Sequence, residues 1–194
     1  MNTRLPSVRR LGCAAALAAI VVLWAAGSAF GHDDAVAAAA VDGTGTQHTV
    51  PPNLVPPPGQ VLSSMFRAHG VQVYQCTAGA WAFLEPAANL TGRMKAAGRA
   101  GPHTAIHFRG PSWESTQDGS LVEARVVASS PVPGSIPELL LQATRNRGDG
   151  AFGRVTYVQR LATNGGAAPT GACTDGSTTG VPYRAVYHFF VPAS

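Results

Sequence analysis

The chain has 194 residues, 45% of them hydrophobic and 12% charged, with 22 Gly and 15 Pro. That length suits one domain and falls short of an eight-fold α/β barrel, while the hydrophobic fraction excludes wholesale disorder and the Gly and Pro load points to many short elements joined by turns. The formal charge of +4 is concentrated at the start: residues 1–31 hold Arg4, Arg9 and Arg10 and no acid, leaving eleven basic against ten acidic residues beyond them. No nucleic-acid partner is expected of so balanced a chain.

Met1 to Arg10 is basic, and Leu11 to Ala26 is a nearly unbroken apolar run followed by small residues at Ala29 and Gly31. This is the layout of a secretory signal, with cleavage after either residue; a run of about 16 residues is shorter than the ~20 a spanning helix needs. Residues 1–31 are therefore read as a signal peptide and the protein as secreted or periplasmic, with no membrane span after cleavage. Export leaves Cys76 and Cys173, which an oxidising compartment would join; a loop of that length is worth ~4–5 kcal/mol in the chain-entropy model. Residues 32–55, rich in Ala, Gly, Thr and Pro, read as a flexible arm, and residues 56–194 as the globular domain.

Within that domain period-two patterns dominate. Val61–Phe66 and Val71–Cys76 flank Ala68-His69-Gly70 and suggest a hairpin; Ala80–Leu84 is a short strand stopped by Pro86. Thr104–Phe108 alternates, and Asp118-Gly119 is a two-residue turn signal leading to Leu121–Val127. Ser135-Ile136-Pro137-Glu138 matches a capping box and predicts a short helix through Ala143, although three leucines in a row also suit a buried strand. Phe152–Thr163 reads as a long strand closed at Asn164-Gly165-Gly166, and Tyr183–Val191 as a strand apolar on both faces. The expected fold is mainly β: a single-domain antiparallel sandwich or partly closed barrel with one or two short helices.

The densest polar and aromatic cluster is Gly110-Pro111-Ser112-Trp113-Glu114-Ser115 with Asp118. Trp113 suits either a stacking platform or a core plug, and Glu114, Asp118 and His107 suit hydrogen-bonding or acid–base work. His69 falls in the presumed turn. His103 and His107, four apart on a strand, stand some 13 Å apart at Cα, too far for one metal. No metal site and no cofactor is expected: neither Cys76 nor Cys173 has a CxxC partner, and no dinucleotide, P-loop or G-x-S-x-G motif occurs.

With these residues in view, the chain resembles the secreted bacterial and fungal proteins called domain of unknown function thirty-four fifty-five. The likeness is carried by Ala68 to Cys76, His107 to Glu114, Asp118-Gly119-Ser120, Ile136-Pro137 with Leu139 to Leu141, Val155 to Arg160, Gly165-Gly166 and Cys173. It departs at Glu138, where the family pattern commonly carries tryptophan. The resemblance implies export and a compact β-rich domain, and supplies no catalytic residues. The malate dehydrogenase label of some fungal members does not transfer, because nothing here resembles a dinucleotide-binding βαβ unit. The function expected is binding of a small ligand, glycan or cell-envelope component through His69, His107, Trp113, Glu114 and Asp118. The alternatives are a hydrolase-like enzyme using His107 with Glu114 or Asp118, and an interaction module without a pocket.

Overall fold

The computed structural model describes residues 40–41, 47–95 and 100–193. The chain divides into two units, 1–35 and 36–194, and all the described residues belong to the second. The proposed signal peptide lies outside them.

Eight antiparallel strands form a closed barrel. After the two-residue strands β1 (Ala40–Val41) and β2 (Gln47–His48), they are β3 (Gln60–Thr77), β4 (Ala80–Met94), β5 (Gly101–Phe108), β6 (Ser112–Ser115), β7 (Leu121–Ser130), β8 (Glu138–Arg147), β9 (Tyr157–Gly165) and β10 (Thr178–Pro192). Each pairs with the next in sequence, and β10 returns to pair with β3. The expectation of a mainly β, antiparallel domain holds; where a sandwich or partly closed barrel was expected the ring is closed, which leaves the barrel without an edge strand. In such a meander the connections alternate between the two ends. The β3–β4, β5–β6, β7–β8 and β9–β10 connections share one end.

Three local expectations are corrected. Ala68-His69-Gly70 is not a turn but the middle of one 18-residue strand. The reversal comes later, at Ala78 (φ 52°) and Gly79 (φ 75°), where two consecutive positive φ values make the twist-matched hairpin turn. Pro86 does not stop β4, which continues to Met94. β4 pairs with β5 only from Ala88 onward, so Pro86 has a partner strand on one side alone, where a missing N–H is tolerated. The segment from Ser135 to Ala143 is not helical; β8 starts at Glu138. Its leucines are buried on both faces: Leu139 and Leu141 belong to the barrel core, Leu140 to a second cluster with Val50, Leu54 and Leu161. Two burying faces favour a strand over a one-sided helix. Among the described residues the helical structure is one 3-10 turn, Pro52–Leu54. Gln159 Nε2 donates to the Leu54 carbonyl (2.7 Å). Val50 and Leu54 at the end of the Ala/Pro-rich segment are thus buried.

The interior is graded along its axis. At the end opposite the β5–β6 connection, Phe66, Phe152 and Phe189 form a dense cluster with centroids 4.6–5.8 Å apart. Phe152 comes from the β8–β9 connection rather than from the strand expected there, and it is fully buried. Halfway up, Ala68, Ala88, Ala105, Ala124 and Ala185 are buried among the larger Trp113 and Tyr187, the small-against-large filling that small barrels use. Beyond that belt the barrel opens.

Candidate functional site

The open end holds a cavity of about 500 Å³, within the range of small-molecule sites. Its walls are largely apolar, with Leu84, Pro86, Val126, Ile136, Leu139 and Leu141 among them; its polar members are Gln72, Tyr74, His107, Arg109, Arg160 and Tyr187. With Trp113 of β6, the lining residues come from all eight strands and from the β5–β6 and β7–β8 connections, so the barrel as a whole builds the site.

His107 and Trp113 stand directly opposite each other on β5 and β6. Their rings stack at 4.4 Å with an interplanar angle of 3°, and Tyr187 meets both edge-on at 5.2 and 5.5 Å. His107 Nδ1 lies 2.8 Å from the Ser112 carbonyl oxygen. A carbonyl only accepts, so Nδ1 carries the proton and Nε2 the lone pair. Burial pushes the imidazole pKa down to about 3, more than the Ser112 carbonyl raises it, and the Arg160 charge adds to the fall. At neutral pH the ring is therefore an uncharged acceptor.

Arg160 lies on β9 in register with Leu139 on one side and Tyr187 on the other. Its Nε donates to the Pro137 carbonyl (3.0 Å), and among the described residues no carboxylate lies within ion-pair distance of it. The other cavity-lining arginine differs: Arg109 Nε donates to Glu85 Oε2 at 2.9 Å at the exposed rim. Burial raises the Tyr74 and Tyr187 hydroxyl pKa values, with the Arg160 charge opposing in both cases. Tyr74 donates its hydroxyl to the Gly166 carbonyl (2.6 Å). Two further donors of cavity-lining residues have no partner although buried: Gln72 Nε2 and Trp113 Nε1.

The structure divides the residues predicted from sequence. His107 and Trp113 come together in the cavity wall; Trp113, 1% exposed, is both packed and cavity-lining. His69 is exposed on β3, in register with Arg184 and Asn89. Glu114, half-buried, follows Trp113 on the opposite face and pairs with Arg147 (3.0 Å). Asp118 lies beyond the far end of β6. Its carboxylate accepts from the Ser120 N–H (3.0 Å) and hydroxyl (2.6 Å) and from the Ala151 N–H (2.9 Å), and Ser120 Oγ in turn accepts the Phe152 N–H (3.0 Å). Partial burial alone would raise its pKa, but these hydrogen bonds outweigh it and hold the carboxyl well below its ordinary value. Gly150 leaves room for that carboxylate, since a Cβ there would sit 2.3 Å from it. Asp118 thus fastens the Phe152 plug, and neither carboxylate shares the cavity with His107. Gln72, Tyr74, Tyr187 and Arg160 were not singled out from sequence.

Cys76 and Cys173 are joined by a disulfide, as expected, tying the cavity end of β3 to the β9–β10 connection. Among the described residues no group of three or more His, Cys, Asp or Glu is placed to hold a metal, and no helix is long and apolar enough to cross a membrane.

The family model described as Protein of unknown function (DUF3455) matches residues 57–191. The chain belongs to the DUF3455 family. The match runs from just before β3 to the penultimate residue of β10, so the matched region coincides with the barrel. No curated protein and no solved structure matches the chain. The Glu138 side chain is buried; Oε1 accepts the Ala162 N–H (2.6 Å) and lies 2.7 Å from His48 Nε2. It belongs to the contacts outside the cavity.

Proposed function

We propose that this member of the DUF3455 family is an exported small-molecule-binding protein that takes an apolar ligand into the open end of its barrel. The observation that carries this reading is the largely apolar cavity of about 500 Å³ at the open end, whose walls hold the buried Gln72 and Trp113 donors without partners. Protein interiors are filled to near crystal density and satisfy their polar groups, so a space that does neither is a place kept for something else. The apolar walls favour a hydrophobic molecule over a glycan. Export is supported by the basic and apolar start of the sequence and by the disulfide.

The test uses phenylnaphthylamine, an uncharged dye whose emission rises in apolar surroundings. The oxidised protein should bind it saturably, and Leu139→Trp, which fills the cavity, should weaken binding by about tenfold or more. A thermal melt of the variant reports whether the barrel survives. Failure of the folded parent protein to take up the dye, or undiminished uptake by a folded Leu139→Trp variant, would overturn the reading.

A further inference from the structure

Resting on that reading, we infer that the ligand is an organic anion whose charged head, a carboxylate or its chemical equivalent, is received by Arg160 while its apolar body fills the space between Leu84, Val126, Leu139 and Leu141. Arg160 is half-buried among apolar side chains and aromatic rings, and the protein offers its guanidinium the Pro137 carbonyl and the Tyr187 hydroxyl, both uncharged. A guanidinium carries five N–H donors in a planar fork suited to two oxygens at once. Holding such a charge away from water without a counterion is unfavourable, and the rim shows how the same chain treats an arginine that needs none from outside: Arg109 has Glu85.

The neighbouring groups lean the same way. Gln72 is 2% exposed and Trp113 1%, and each has an N–H donor without a partner in a side chain that lines the cavity. The site therefore has an excess of donors, which calls for a ligand rich in acceptors. His107, held neutral, adds no second cation and leaves Arg160 as the positive charge within the wall. A cationic ligand would meet an uncompensated guanidinium, and a neutral one would leave the guanidinium as it is. An inorganic anion would satisfy the fork but leave the apolar walls uncovered.

The experiment compares anilinonaphthalene sulfonate with phenylnaphthylamine, two dyes that share a ring system and differ by one anionic group, on the oxidised protein. The sulfonate should bind about tenfold or more tightly than the neutral dye. Arg160→Met should remove that preference by weakening sulfonate binding about tenfold while moving neutral-dye binding by no more than about twofold, and Arg160→Lys should restore part of it. Equal affinity of the parent protein for both dyes, or equal loss of both in a folded Arg160→Met variant, would overturn the anion inference and leave small-molecule binding standing. Uptake of neither dye would overturn the binding reading itself. Competition by millimolar inorganic sulfate as effective as that by decanoate would overturn the role given to the apolar body. Should Arg160→Met fail to fold, the dye preference of the parent protein still decides.

Discussion

The two ends of the barrel are built from the same eight strands and finished in opposite ways. At the closed end Phe152 is driven in from a connection, meets Phe66 and Phe189, and is latched from outside by Asp118 through Ala151 and Ser120. At the open end the connections leave a gap, and the side chains facing it carry donors with nothing to donate to. The latch at the closed end is hydrogen-bonded throughout, whereas the wall of the open end leaves Gln72 Nε2 and Trp113 Nε1 without partners. In a small barrel the interior is just wide enough either to be filled by side chains or to hold one small ligand, and this chain does each at one end. The plug concentrates stability at one end, and the proposed recognition falls to the other.

The strongest challenge to that division is Phe152→Ala. Removing a fully buried ring from the plug should cost about 3–5 kcal/mol in urea unfolding, and dye binding should survive in whatever fraction stays folded. Loss of binding in a folded variant would show that the two ends are coupled. A subtler probe is acid. His107, whose native pKa is near 3 against an ordinary 6.5, binds its proton more readily unfolded than folded, so its contribution to stability is lost as pH falls from about 6.5 toward 3. His188, lowered to about 4 mainly by burial, acts over much of the same window. Asp118, lowered from an ordinary 3.8, stabilises the fold above that pH and ceases to do so as pH falls through and below it. His107→Gln should therefore make the urea midpoint less steep between pH 6.5 and 4 without abolishing the slope, whereas Asp118→Asn should leave that range alone and flatten the profile below it. The smallest effect belongs to the rim: Val126, 50% exposed, should tolerate Val126→Ala within about 0.5 kcal/mol, with any change appearing in dye affinity instead.

Much of the architecture was legible. Alternation marked most strands, the two cysteines paired as expected, and Tyr183–Val191 is largely buried on both faces. What alternation alone left open was phase. In Val71-Gln72-Val73-Tyr74-Gln75-Cys76 the valines look like the core face, yet Gln72, Tyr74 and Cys76 are the buried set and the valines are intermediate. Polarity normally decides which face is inside; here the face that lines the cavity carries the polar residues. The same holds for Arg160, which shares its face with Val158 in a strand whose two faces mix polar and apolar residues. The cue was available: Gln72 and Tyr74 are in step with Cys76. Proximity in sequence misled in the other direction, because Trp113 and Asp118 sit five residues apart and serve opposite ends of a four-residue strand.

The seam between β3 and β10 has a consequence for how the barrel is made. Every other strand pair is contiguous along the chain and can zip up locally, whereas residues such as Phe66 and Tyr187 must find each other across more than a hundred intervening positions. The Cys76–Cys173 bond lies at one end of that seam, and Cys76 also exchanges backbone hydrogen bonds with Gly176 and Ser177. Oxidation before closure would turn the slowest encounter in the molecule into a short walk, bringing β10 alongside β3 from a tether only a few residues long.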